Sequence, residues 1–225
     1  MRCYCYETET EFIYCVEGAE GKIYEKLQAD PYWKSSGDKF LKIYPMNTGW
    51  HDAWYVVPEY KEAVVSNFAR MGKSWIEGVF DWKGVLLLLA EMFARNGIEW
   101  YIIGSVGEAV RGVDIAPHDI DIGVHTRDFY KVRDLTREYV IEPLGDNKGN
   151  WIVRYFGKLC IDGASVDIAA DEKLNMENRK YPCDRVSWSG YDLFVEPLQK
   201  RYEVELQRGR EDRIRAMEEF MKRRA

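Results

Sequence analysis

The chain has 225 residues, enough for one large domain or a catalytic domain with a smaller companion. A formal net charge of −6 argues against a generally basic nucleic-acid footprint, and the longest apolar run, Val85 to Ala90, is far too short to cross a bilayer. Five cysteines without a basic-then-apolar leader predict a reduced, cytoplasmic chain, and Cys3-x-Cys5 lacks the second Cys or His pair that zinc spacing needs.

In chain order, Met1 to Val16 alternates enough for one or two strands. Gly21 to Ala29 predicts a short helix stopped by Asp30-Pro31, and Tyr32 to Val57 reads as loop and strand, rich in aromatics (Trp33, Tyr44, Trp50, Trp54, Tyr55). Pro58 opens a helix expected to end near Met71-Gly72. Gly72-Lys73-Ser74 has the ending of a P-loop, but Asn67 stands where that motif needs glycine. Residues 1–80 are therefore taken as an aromatic-rich N-terminal accessory segment, and 81–225 as the functional domain with a helical tail. Asp81 reads as an N-cap, Val85 to Arg95 as helix and Asn96-Gly97 as its stop, with a strand from Glu99 to Ile103 directly after. Thr126 is expected to cap a helix running to about Tyr139. Asn150 to Ala169 should hold two or three strands, punctuated by Gly157-Lys158 and Asp162-Gly163. A hairpin around Ser189-Gly190 and a tail in two helical pieces broken near Gly209 complete the chain.

The chemistry concentrates in two neighbouring stretches. Gly104 allows a tight turn after an apolar strand, and Ser105 opens a short helix to about Arg111, whose unpaired amides attract anions. The next strand carries Asp119 and Asp121, two residues apart and so on one face, with Ile120 and Ile122 on the other. Adjacent carboxylates repel unless a cation sits between them, and an oxygen-only donor set suits Mg2+, which takes phosphate oxygens as further ligands. An anion-binding turn beside a metal-binding acid pair is a place for a nucleoside triphosphate.

The run from Gly104-Ser105 through the short helix to Asp119-x-Asp121 resembles the signature of the nucleotidyltransferase superfamily with the DNA polymerase β-like fold. It is similar to small prokaryotic nucleotidyltransferases and, more loosely, to aminoglycoside and lincosamide nucleotidyltransferases. The resemblance covers roughly Asp81 to Asp171. It implies an α+β fold, a mixed sheet with flanking helices, in which the strand of Ile102 lies beside that of Asp121. It also implies a third acid on a later strand, and Asp167, in Ser165-Val166-Asp167-Ile168, fits. Asp162 and Glu172 are rivals, but Asp162 precedes Gly163 and is better explained by a turn.

The implied activity is transfer of a nucleoside monophosphate from ATP or another NTP to a hydroxyl, with pyrophosphate leaving. Asp119, Asp121 and Asp167 would hold two Mg2+ ions, Gly104 and Ser105 would seat the triphosphate, Arg111 would reach it from the end of the helix, and Asp167 would take the acceptor proton. The acceptor is not named by the sequence; a small molecule is favoured over RNA or protein. A nucleotide-binding or interaction protein that keeps the fold without turnover is the alternative, and metal-dependent hydrolysis a third. His118 is left out of catalysis, and Arg208, Arg210 and Arg213 are read as a solvated, ion-paired helix face.

Overall fold

A computed structural model describes residues 1–45, 58–77, 81–148 and 152–224. The expectations for Trp50, Trp54, Tyr55 and Asn150 lie outside those residues.

The first 45 residues form a four-stranded antiparallel sheet: β1 (Arg2–Glu7), β2 (Glu11–Glu17), β3 (Lys34–Ser36) and β4 (Lys39–Pro45), in the order β1-β2-β4-β3, with α1 (Gly21–Ala29) between β2 and β3. The helix α2 (Pro58–Glu77) runs past the glycine that was expected to end it. A Cβ on Gly72 would lie 2.3 Å from the Cys3 Sγ, so this glycine lets helix and strand approach closely. On the same helix, buried Asn67 donates to the carbonyls of Glu138 (2.8 Å) and Val140 (3.0 Å). Phe68 packs edge-on against Tyr14, and the Tyr14 hydroxyl donates to the Ile141 carbonyl. Phe12, Tyr14 and Phe68 thus sit in the same core as Ile122, Leu159 and Ile168.

The second sheet has seven strands: β5 (Trp100–Ile103), β6 (Ile120–Val124), β7 (Val140–Asp146), β8 (Tyr155–Ile161), β9 (Ala164–Ala170), β10 (Asp184–Trp188) and β11 (Tyr191–Val195). Their order is β10-β11-β5-β6-β9-β8-β7. It is mixed, as expected: β6 runs parallel to β9 and β11 parallel to β5, and the other pairs are antiparallel. The helices α3 (Trp82–Asn96), α4 (Gly104–Val110), α5 (Phe129–Leu135), α6 (Leu198–Arg208) and α7 (Glu211–Arg224) complete the chain. Asp81 caps α3 by accepting from the amides of Lys83 (3.1 Å) and Gly84 (3.0 Å), and Gly97 ends it at φ 60°.

Three local expectations need correction. The helix expected from Thr126 to Tyr139 is broken into a 3-10 turn, α5 and a second 3-10 turn, because buried Thr136 bonds back to the Val132 carbonyl at 2.8 Å. The cap at its start is the His125 ring, which accepts from the Arg127 amide, while Thr126 Oγ1 accepts from Asn175. Gly157-Lys158 is the interior of β8. A Cβ on Gly157 would meet Leu144 backbone at 2.7 Å, so β7 presses on a strand that only glycine can offer.

Candidate functional site

Strand register builds the site. Ile103 of β5 stands opposite Asp121 of β6, Asp121 opposite Asp167 of β9, Asp167 opposite Lys158 of β8, and Lys158 opposite Glu142 of β7. Residues directly opposite share a face, so four charged side chains form a row across the sheet, while Asp119, expected on β6, lies just before that strand. Buried Ile120, Ile122, Val166 and Ile168 leave the other face and fix that orientation.

Gly104 closes one end of the row. It sits at φ 71°, and a Cβ there would lie 2.4 Å from Asp121 Oδ2, so the turn backbone is pressed against the carboxylate and only glycine fits. Ser105 follows, 2% exposed, and its Oγ has no hydrogen-bond partner among the described residues. It is not the helix cap, because α4 starts after Ile103 without any side-chain cap. A buried, unsatisfied hydroxyl beside an acid pair is the kind of group a ligand oxygen would satisfy.

The carboxylates are unequally compensated. Burial, then the charges of Asp119 and Asp167, push the Asp121 carboxyl up to about 7. Burial also raises Asp167, against the pull of Lys158. Lys158 Nζ lies 2.8 and 2.6 Å from the two Asp167 oxygens. Burial alone would lower this ammonium, but Asp167, Glu142 and Asp119 more than reverse that and hold it charged. Glu142 is held below the usual range despite burial by Lys42 at 2.7 Å, by Lys158, and by the Tyr44 hydroxyl, which donates at 3.0 Å. The first sheet therefore reaches the row through β4.

Lys158, Glu142, Lys42 and Tyr44 had no part in the expected site. The only signal for Lys158 was the alternation Phe156, Lys158, Cys160, obscured by Gly157. Arg111, expected to reach a triphosphate, is engaged in bonds within the protein. Its guanidinium donates to Asp184 Oδ2 (2.6 Å) and to the carbonyls of Glu196 and Gly107 (both 2.8 Å), tying α4 to β10 and to the entry of α6. The tail is also not a simple solvated face. Arg201 and Glu205 of α6 are buried, Arg201 Nε donates to Glu108 of α4 at 3.1 Å, and Arg210 and Arg213 converge on Glu205. Asp162 sits in the turn between β8 and β9 at φ 48°, as expected, and His118 is exposed.

Another group of possible metal ligands, Glu99, His125 and Glu177, has its atoms within 4.8 Å of one another. It lies at the far end of β6, and no other trio among the described residues is as close. There His125 Nδ1 accepts the Arg127 amide, which leaves the ring proton on Nε2, facing Glu177 at 3.0 Å. Asp119, Asp121 and Asp167 do not close to that spacing: Asp121 leans on the Gly104 turn and Asp167 is drawn to Lys158.

No protein-family model and no curated protein matches the chain. Among solved structures it is similar to one described as a "putative nucleotidyltransferase" from Thermotoga maritima, at 23% identity over 64% of this chain and 96% of that one, with TM-score 0.47. It is also similar to ANT(2")-Ia in complex with adenylyl-2"-tobramycin, at 10% identity over 60% of this chain and 87% of that one, with TM-score 0.42.

Proposed function

We propose that the chain is a metal-dependent nucleotidyltransferase that moves a nucleoside monophosphate from an NTP, ATP in the first instance, to a hydroxyl-bearing acceptor. One observation carries the reading: a glycine turn pressed against Asp121, with a buried, unpartnered serine hydroxyl beside it and two further acids raising the Asp121 carboxyl. The donor set fits a hard cation, since Asp119 and Asp121 offer only oxygens and repel each other in its absence. A Mg2+ ion there would neutralise the β- and γ-phosphates.

The protein's own groups do the rest. The Gly104-Ser105 turn seats the triphosphate tail, with Ser105 Oγ donating to a phosphate oxygen. Asp167, raised by burial, is suited to take the acceptor proton as the hydroxyl oxygen bonds to the α-phosphorus and the bond to pyrophosphate breaks. The acceptor would approach on the acids' face of the sheet, a small molecule before RNA or protein.

The test is thermal stabilisation by a non-hydrolysable ATP analogue with and without Mg2+, followed by pyrophosphate release on candidate acceptors. Stabilisation that needs no metal, or that survives loss of Asp121, would defeat the reading. A nucleotide-binding protein without turnover is the competing reading, favoured by the double hold of Lys158 on Asp167. Binding without pyrophosphate release from any acceptor would select it.

A further inference from the structure

We infer that Lys158 is the site's built-in second cation, so that nucleotide brings one divalent ion to the acids and not two. The inference rests on the nucleotidyltransfer reading and replaces the two-ion arrangement that the sequence resemblance implies.

Three observations carry it. Lys158 Nζ takes both oxygens of Asp167, the carboxylate that a second divalent ion would need. The sheet places Lys158 between the two acids, since it is the registered partner of Asp167 on one side and of Glu142 on the other. Glu142 is itself fixed by Lys42 at 2.7 Å and by the Tyr44 hydroxyl at 3.0 Å, so Lys158 cannot swing toward β7 without disturbing a satisfied ion pair. A second divalent ion on Asp167 would have to share that carboxylate with an adjacent ammonium, and like charges that close repel.

The charge balance agrees. Lys158 cancels Asp167 and Lys42 cancels Glu142, which leaves the negative charges of Asp119 and Asp121. One divalent ion neutralises those two. The acids also diverge as this requires, Asp121 toward the phosphate turn and Asp167 toward Lys158.

The experiment measures manganese bound per full-length chain by equilibrium dialysis with saturating α,β-methylene ATP. Electron paramagnetic resonance on the same samples detects the coupling that only two neighbouring Mn2+ ions give. The wild type should bind one ion with an uncoupled spectrum. Lys158→Met frees Asp167 and should bind two, coupled. Lys158→Arg keeps the cation and should return to one. Two coupled ions in the wild type would overturn the inference, and so would one ion in a folded Lys158→Met. If Lys158→Met fails to fold, the wild-type count and the single ion expected in Lys158→Arg decide alone. No nucleotide-dependent Mn2+ in any of the proteins would overturn the nucleotidyltransfer reading, and the inference with it.

Discussion

Replacing Asp121 by Asn tests the electrostatics of the row directly. Asp121 is half-buried beside Asp119 and Asp167, and its carboxyl stands near 7 against an ordinary 3.8. Because the folded value is raised, the native state keeps a proton that the unfolded chain has released between about pH 4 and pH 7. Stability therefore falls as pH rises through that window and levels off above it. The gap is worth at most about 4 kcal/mol, of which about 3 kcal/mol is lost between pH 5 and pH 8. Asn carries no such proton and should escape the loss. For a chain of this size, each kcal/mol moves the melting temperature by about 2–4 °C. The wild type should thus lose roughly 5–10 °C relative to Asp121→Asn as the pH goes from 5 to 8 in metal-free buffer. Mg2+ with an ATP analogue should stabilise the wild type and leave the variant unmoved. Melting curves that run parallel at every pH, or a variant less stable at pH 8, would refute the argument.

Ser105→Ala removes a buried hydroxyl without a partner, so the metal-free protein should hold or gain up to about 1 kcal/mol in urea titration. Its affinity for the magnesium–ATP analogue complex should fall about tenfold by calorimetry, the value of one hydrogen bond to a charged group. Gly104→Ala puts a side chain on a left-handed residue and against Asp121 Oδ2, which should cost about 1–2 kcal/mol for the backbone alone and abolish the magnesium-dependent thermal shift. Lys42→Met removes the nearest cation of Glu142, leaving it Lys158 and the Tyr44 hydroxyl, and should cost about 1.5–3 kcal/mol at pH 7. Glu142 is held below its ordinary 4.5, so that stabilisation exists above 4.5 and is lost as pH falls through the folded value; denaturant titrations should find the variant's penalty shrinking below pH 4.5.

What could be read from the sequence was what is local. The alternation in Ile120-Asp121-Ile122 and in Val166-Asp167-Ile168 gives these two acids their face directly, and β6 and β9 pair to bring Asp121 and Asp167 side by side; Asp119, expected on the same strand, precedes β6. Glycines at helix ends were equally plain, at Gly97 and Gly209. The other half of the row was hidden because it depends on pairing between strands. Gly157 looks like a turn in sequence, yet it lies inside β8 because Leu144 crosses it too closely for any side chain. The strand that brings Leu144 there, β7, contains Pro143 and Gly145 and pairs through shifted registers, so it shows no clean alternation. The partners of Arg111 were hidden too: its place at the end of α4 is local, but Asp184 and Glu196 come from more than seventy residues away.

The N-terminal aromatics make the same point about function. Abundant aromatics more often fill a core than form a binding surface, and the structure puts Phe12, Tyr14 and Phe68 in the common core. The link from this sheet to the acids is charged and runs through one residue. A half-buried Glu142 is held by pairing, with Lys42 and Tyr44 on β4. Remove that support and Glu142 would draw on Lys158, the residue that neutralises Asp167. Docking of the first sheet and the charge available at Asp167 are therefore linked through one carboxylate, so a change on β4 can alter the acids of β6 and β9 without touching them.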